Sequence, residues 1–167
     1  MSRGPLPFDP VAEARRHWEE RGWGDAADGM AAVTSVMRAQ QILTARVDAQ
    51  LRPLGLTFAR YEVLMLLEFS AHGELPMRVI GERLQVHPTS VTNAVDRLER
   101  DALVLRRPHP GDRRAVLVAI TPEGSAAAAS ATGRLNARVF ADMGLDAGSE
   151  RALTSSLEQL RRHAGDF

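Results

Sequence analysis

The sequence predicts a mainly helical chain with one small β-hairpin, which is an α+β fold class. Three observations predict it. Apolar residues recur at helical spacing through most of the 167 residues. Two short runs of β-prone residues, at 103–105 and 116–120, flank a segment that contains two prolines and a glycine. The helices predicted at both ends of the chain carry apolar stripes that need a partner.

Composition and charge exclude several classes of protein. Hydrophobic residues make up 44% and charged residues 25%, the balance of a globular protein. No apolar run approaches the ~20 residues that span a bilayer, and the first ten residues lack the apolar core of a signal peptide. We therefore expect a cytoplasmic protein with no membrane partner. Because the chain has no cysteine and its five histidines are scattered, we predict no metal site and no cofactor.

The N-terminal part is predicted to contain a tail and two helices. Residues 1–8 are expected to be flexible. A helix over 9–22 begins with an aspartate cap and a proline at its first position, a favoured combination. Glycines and small polar residues at 24–29 predict a turn, and a helical stripe then extends over 30–52. We assign residues 9–54 to dimerisation.

The central part, residues 55–121, has the pattern of a winged helix-turn-helix domain. A helix over 58–71 is apolar nearly all round and should be central. Two short helices at 77–84 and 88–100 are each opened by a proline, and their link is so short that they must cross. The β-prone runs at 103–120 then form a hairpin, which we expect to have a long tip.

The C-terminal part, residues 122–167, is predicted to be helical and to take part in dimerisation. Thr121 and Pro122 restart the helix with a cap and a favoured first residue. Asp146 caps a final helix whose apolar stripe includes Leu153. Antiparallel packing between two copies of the chain would cover the stripes of the terminal helices.

The helix at 88–100 has the pattern of a recognition helix. Four apolar residues at helical spacing form one face: Val91, Ala94, Val95 and Leu98. The predicted DNA contacts lie on the rest of the helix surface: Thr89, Ser90, Thr92, Asn93 and Arg97. We expect the first four to reach base edges or phosphates in the major groove, free first-turn N–H groups to attract phosphate, and Arg97 to contact phosphate or pair locally. Taken alone, this pattern is better explained by an ordinary amphipathic helix, and the adjacent helix and hairpin are what favour DNA binding.

The hairpin supplies the second predicted DNA contact. Arg113 and Arg114 are expected to reach the minor groove, whose narrow A·T stretches attract guanidinium groups. Asp112 would hold one of them extended through an ion pair. Arg106, at the base of the hairpin, divides between phosphate contact and structural pairing. The alternative is a solvated charged turn. Residues 97–114 contain six arginines and three acidic residues, a local excess of three positive charges in a chain of zero net charge.

The segment over 84–121 resembles the winged helix-turn-helix of the MarR family, the multiple antibiotic resistance regulators. Four motifs in the same order carry the resemblance: VDRLE at 95–99, LVLRR at 103–107, DRR at 112–114 and ITPEG at 120–124. The resemblance extends from about Val33 to Phe167. It implies a homodimer that binds a pseudo-palindromic operator in double-stranded DNA. It also implies repression that a small, often anionic aromatic effector releases.

Details of the resemblance point to a ligand site and to one departure. The added N-terminal helix resembles that of urate-responsive members, in which Trp18 and Arg106 would match ligand-site residues. Glu62 stands where that branch has an aspartate of the ligand site. Packing of the helix against the body is the alternative role of Trp18. Ala94 stands where that branch has an arginine, which argues against urate itself. Ala102 replaces the glycine that many members have at the end of the recognition helix, and we expect either a slightly different turn or modest backbone strain there.

The sequence therefore predicts a DNA-binding transcriptional regulator. An enzyme is disfavoured because the chain has no nucleophile elbow, no glycine-rich phosphate loop and no cluster of histidines and carboxylates at a useful spacing. A winged-helix module that binds proteins and not DNA is the remaining alternative.

Overall fold

The computed structural model describes Gly4 and residues 6–167, apart from the side chains of Arg113 and Arg114. The predicted flexible tail therefore lies partly outside the described residues. The chain divides into two compact units, Met1–Arg46 and Val47–Phe167. In the described part of the chain, no helix combines the length and the apolar character needed to cross a membrane.

The first unit contains α1 (Pro10–Glu20) and most of α2 (Gly24–Leu51). Asp9 caps α1 as expected, its Oδ1 accepting from the N–H of Val11 at 2.9 Å. The predicted turn at 24–29 is wrong, because α2 already begins at Gly24. Ala27 is buried and the neighbouring Asp28 accepts from Nε of Arg15 at 2.7 Å. These contacts outweigh the low helix propensity of the two glycines in that segment.

The second unit contains the end of α2, five further helices and three strands. The helices are α3 (Phe58–Glu68), α4 (Met77–Leu84), α5 (Pro88–Arg100), α6 (Pro122–Leu135) and α7 (Ala147–His163). A 3₁₀ turn, Arg52–Leu54, follows α2, and a π-helical turn, Asn136–Phe140, extends α6. The strands are β1 (Glu74–Pro76), β2 (Val104–His109) and β3 (Asp112–Ile120). The fold is mostly helical with one small sheet, as the sequence predicts.

The three strands form an antiparallel sheet in the order β1-β3-β2. Strand β1 has no counterpart among the predicted elements, because it is only three residues long and ends in a proline that also opens α4. Leu75 of β1 lies opposite Val118 of β3. Pro108 lies within β2, an edge strand, which is the place in a sheet where proline is tolerated.

The predicted long tip of the hairpin is wrong. His109 and Asp112 pair with each other, so the turn between β2 and β3 consists of Pro110 and Gly111 alone. The Nδ1 of His109 accepts from the N–H of Gly111 at 3.1 Å and holds this turn. A register shift after Pro108 accommodates the irregular segment. The DRR motif therefore lies in β3.

Helix α3 lies at the centre of the core, which confirms the prediction from its apolar pattern. Its Val63, Leu64 and Leu67 are fully buried. They belong to one cluster with the apolar face of α5 and with Ala128 and Leu135 of α6. The helix ends at Glu68 and not at 71. The core therefore fixes α5 from behind and leaves its other face open.

Two backbone features shape the junction between α5, the hairpin of β2 and β3, which we call the wing, and α6. Ala102 has a φ of 58°, the left-handed conformation that favours glycine, which confirms the expected strain. The buried Gly124 lies so close to β2 that an added Cβ would stand 2.0 Å from the carbonyl oxygen of Leu103. The same oxygen accepts from the N–H of Thr121 at 3.1 Å. Only a glycine in the ITPEG motif allows the start of α6 this approach.

We expect Gly124→Ala to destabilise the fold by at least about 2 kcal/mol, because the new methyl group meets backbone that cannot move aside easily. The measurement is the free energy of unfolding from urea titration. The matched control is Gly133→Ala in the same helix, where an added Cβ meets nothing within 4 Å. That variant should be about 0.5–1 kcal/mol more stable than the wild type. Equal effects of the two substitutions would contradict the close approach at Gly124.

Candidate nucleic-acid interface

Helix α5 presents its polar face to solvent as predicted. Its four apolar residues are buried, with exposed fractions of 9% or less: Val91, Ala94, Val95 and Leu98. The five predicted contact residues of this helix are all exposed: Thr89, Ser90, Thr92, Asn93 and Arg97. The second helix of the pair thus carries small hydrogen-bonding side chains on an accessible surface. Such a surface suits base edges in the major groove.

The N-terminus of α5 differs from the expectation. His87 is its cap, and the Nδ1 of this histidine accepts from the N–H of Thr89 at 3.3 Å. The N–H of Ser90 donates to the carbonyl oxygen of His87 at 2.8 Å, and Pro88 has no N–H. The expectation that free first-turn N–H groups attract phosphate is therefore wrong for Thr89 and Ser90. The side chains at this end of the helix, and not the N–H groups of Thr89 and Ser90, are therefore available for hydrogen bonds.

The hydroxyl group of Thr92 is already engaged. It donates to the carbonyl oxygen of Pro88 at 3.0 Å, one helical turn back. In this state it offers only an acceptor to a base, whereas the amide of Asn93 offers both a donor and an acceptor. Asn93 is accordingly the side chain of α5 best suited to bidentate contact with adenine.

Arg106 braces the wing against the recognition helix. From β2, its guanidinium donates to Asp96 and to Glu99 of α5, each at 2.5 Å. Its backbone N–H also donates to Glu99 at 3.2 Å, and its side chain is 24% exposed. Burial alone would lower the pKa of Arg106, but the hydrogen bonds and charges of the two carboxylates outweigh it and raise the pKa. Of the two roles expected for Arg106, the structure describes the structural pairing.

Two further ion pairs fix the sheet and the recognition helix in place. Arg107 of β2 pairs with Glu74 of β1, which joins the two outer strands of the sheet. Arg60 of α3 lies 3.5 Å from Asp101, the residue that caps the C-terminal end of α5. The recognition helix is therefore fixed at its end as well as along its buried face.

The tip of the wing is only partly described. Asp112 is exposed at the start of β3. The side chains of Arg113 and Arg114 lie outside the described residues, although their backbone belongs to β3. The predicted ion pair of Asp112 and the minor-groove contacts of the two arginines stay predictions.

An open groove of about 720 Å³ lies between the start of α4, the recognition helix and the wing. Thr92, Asp96 and Arg106 line it from α5 and β2, and Arg78 lines it from the first turn of α4. Arg78 is exposed and pairs with Glu82. Its place in the first turn of the first helix of the pair is the sequence signal that singles it out.

Within the second unit, one of the residues predicted to bind a ligand lines the groove described above. Arg106 lines it, and Glu62 is not among its lining residues. Trp18 belongs to the first unit, is half-buried and packs edge-on against Trp23 with ring centroids 5.3 Å apart. Burial raises the pKa of the half-buried Glu62, and among the described side chains this carboxyl has no ion-pair partner. An arginine partner, which a buried carboxylate would need, is not seen for Glu62 among the described side chains.

The second helix of a pair thus exposes polar residues beside a wing that Arg106 holds in place. This arrangement defines a winged helix-turn-helix DNA-binding protein. Residues 54–115 match the model of the MarR family. Sco5413, a MarR family transcriptional regulator from Streptomyces coelicolor, is 54% identical, with a TM-score of 0.77 over 84% of this chain and 97% of that chain. The chain belongs to the MarR family. Members of this family are DNA-binding transcriptional regulators and not enzymes.

Two further relatives agree with this assignment. The uncharacterized regulator YhbI of Bacillus subtilis is 34% identical over 122 residues, 72% of this chain and 73% of YhbI. The transcriptional repressor CouR, solved bound to a 23-mer DNA duplex, is 26% identical with a TM-score of 0.70, over 75% of this chain and 89% of that chain. The chain spans only 41% and 59% of the lengths of two other Bacillus subtilis regulators that it matches.

We expect the brace to appear as an energetic coupling between α5 and β2. Arg106→Gln and Asp96→Asn should each destabilise the fold by about 1 kcal/mol, and the double variant by less than the sum. Urea titration of the four proteins measures this coupling.

The control is the exposed pair Arg100 and Asp101, whose charged atoms lie 3.6 Å apart. Arg100→Gln and Asp101→Asn should show almost no coupling because solvent screens the pair. A coupling at Arg106 no larger than this one would exclude the brace.

We expect Glu62→Gln to stabilise the protein increasingly as the pH rises from 4 to 7. Burial raises the pKa of Glu62 from its ordinary 4.5, so the folded state holds this proton to higher pH than the unfolded state does. Ionisation of Glu62 therefore opposes folding above the unfolded pKa, and glutamine removes that cost. The measurement is the free energy of unfolding at several pH values, with Glu68→Gln in the same helix as the control. The same pH trend in both variants would contradict the conclusion that burial raises the pKa of Glu62.

Proposed function

We propose that this protein is a homodimeric repressor that acts in the cytoplasm, binds a pseudo-palindromic operator and is released by a small anionic or aromatic ligand. The observation that carries the proposal is the exposed polar face of α5 held beside a braced wing. This geometry supports simultaneous contact with a major groove and the adjacent minor groove. A regulator of this kind needs no catalytic residue.

The proposed DNA contacts divide into two sets. The side chains of α5 read base edges or bind phosphate: Thr89, Ser90, Thr92, Asn93 and Arg97. The wing supplies Arg113 and Arg114 to the minor groove, with Asp112 orienting them, and Arg106 acts chiefly by holding the wing in place. The exposure of the α5 residues and the two carboxylate partners of Arg106 support this division.

Exposed apolar residues support the homodimer. In the first unit, Val33, Val36 and Met37 of α2 are 41–65% exposed. In the second unit, α7 has no buried residue, and its Leu153 and Leu160 are 36% and 56% exposed. Exposed apolar rows of this kind are costly in a monomer and typical of an interface. We propose residues 9–54 and 122–167 for dimerisation and residues 55–121 for DNA binding.

The groove beside Arg106 supports regulation by an anionic ligand. An anion bound there would compete with Asp96 and Glu99 for the guanidinium group. Losing either carboxylate contact would loosen the wing from α5 and reposition the DNA contacts. Ligand binding and operator binding would then oppose each other, which is the linkage that release of a repressor requires.

The resemblance to urate-responsive members adds Trp18 and Glu62 as proposed ligand-site residues. The half-buried, unpaired carboxyl of Glu62 supports a role beyond packing. Ala94 is buried in the core, so the arginine of that branch has no counterpart on the surface of α5 here. The proposal is therefore an effector other than urate.

We expect Arg113→Ala combined with Arg114→Ala to weaken DNA binding strongly and to flatten its salt dependence. A dimer would lose up to four phosphate-neutralising charges, which lowers the slope of log K against log salt by about 2–4. The measurement is a mobility shift, at several salt concentrations, with the intergenic DNA upstream of the gene.

The control removes the same charge elsewhere, through Arg16→Ala and Arg21→Ala on and beside α1. It should leave the slope unchanged. If the wing variant binds like the wild type, the assignment of the wing is wrong. If the wild type shifts no DNA, the winged-helix module that binds proteins becomes the better hypothesis.

A further inference from the structure

Gln85 occupies a strained position in the turn between α4 and α5. It caps the C-terminal end of α4 with a φ of 53°, a left-handed conformation that residues other than glycine rarely adopt. Its side-chain Nε2 donates to the backbone carbonyl oxygen of Asp166 at 2.5 Å, 81 residues further along the chain. The turn of the helix-turn-helix is thereby joined to the segment that follows α7.

The acceptor of this hydrogen bond is held in a fixed place. Gly165 adopts a φ of 75°, and its N–H and that of Asp166 donate to the carbonyl oxygens of Arg162 and Arg161 at 3.1 and 3.0 Å. This is a helix-ending motif that turns the chain back on itself. The carboxylate of Asp166 also accepts from Nε of Arg161 at 2.5 Å.

Phe167 completes this cap. The guanidinium groups of Arg161 and Arg162 lie 4.8 and 4.6 Å from the centre of its ring, within the range of cation–π contact. Residues 164–167, which we call the α7 cap, therefore form an ordered acceptor. Because the acceptor is already ordered, a single hydrogen bond to it costs little entropy and can fix the position of the turn that carries the donor.

We propose that Gln85 is a positioning residue that ties the DNA-binding part of the chain, residues 55–121, to the end of α7. We call this part the reading head. The tie thereby sets the spacing between the two reading heads of a dimer. The inference rests on the proposed function. No residue of α7 is buried, so side-chain packing within the chain does not by itself fix this helix. The hydrogen bond from Gln85 ties the proposed dimerisation helix to the turn that aims α5. A change in the angle of that turn would alter the distance between half-sites that the dimer fits.

The test compares the wild type with Gln85→Met, which keeps the length and neutrality of the side chain but has no donor. The probes are duplexes that the wild type enriches from a random-sequence library, rebuilt with one base pair added or removed at the centre. We expect the preference of the wild type for its own spacing to fall about 3–10-fold in the variant. A general loss of affinity would lower binding at all spacings alike. It would leave the ratio of the affinities for the original and the altered spacings unchanged.

Deletion of residues 165–167 removes the part of the α7 cap that includes the acceptor Asp166. It should reduce the spacing preference as Gln85→Met does, and the combined variant should show no further loss. Unchanged spacing preference in Gln85→Met, or effects that simply add, would overturn the proposal. Circular dichroism at rising temperature checks that each variant is folded.

A second measurement needs no DNA. In hydrogen exchange, the amides of Gly165 and Asp166 should exchange faster in Gln85→Met than in the wild type. Equal rates would overturn the tether even if the spacing preference changed. If the wild type enriches no duplex, the proposed function fails, while the exchange rates still decide whether the tether exists.

Discussion

Burial of one face of α5 against the core is the constraint on which the reading surface depends. Val95 and Leu98 are fully buried in the cluster that surrounds α3, so α5 cannot rotate without exposing them. Because the helix repeats every 3.6 residues, fixing this face also fixes which side chains point outward. Asn93 and Arg97 are exposed because Val91 and Val95 are not. The core thus determines the polar surface without contacting it.

The wing depends on the same helix through electrostatics. Asp96 and Glu99 lie on the exposed side of α5, and both accept from Arg106 of the wing. An acidic pair on this face would repel phosphate, and Arg106 neutralises one of its two negative charges while it engages both carboxylates. The brace therefore does two things. It orients the wing, and it leaves Arg97, which has no ion pair among the described side chains, as a positive charge on this face.

The sequence was sufficient wherever a local pattern and a local cap determined the structure. The faces of α5, the proline starts of α4 and α6, and the central place of α3 all follow from periodicity and capping. The helical start of α2 at Gly24 did not, because it depends on the burial of Ala27 and the pairing of Asp28. The short tip of the wing depends on the His109–Asp112 register. Partners distant in sequence, such as those of Arg106 and Gln85, leave no periodic trace.

A chain of zero net charge can bind DNA only if its positive charges are concentrated on one part of its surface. On the reading head several acids are engaged within the fold: Asp96 and Glu99 by Arg106, Glu74 by Arg107, and Asp101 by Arg60. Each of these pairs also joins two elements that carry the reading surface. The acidic residues therefore join the elements that carry the reading surface, and the sum of all charges says little about the charge that this surface presents. Net charge was a poor guide here because it adds structural and functional charges together.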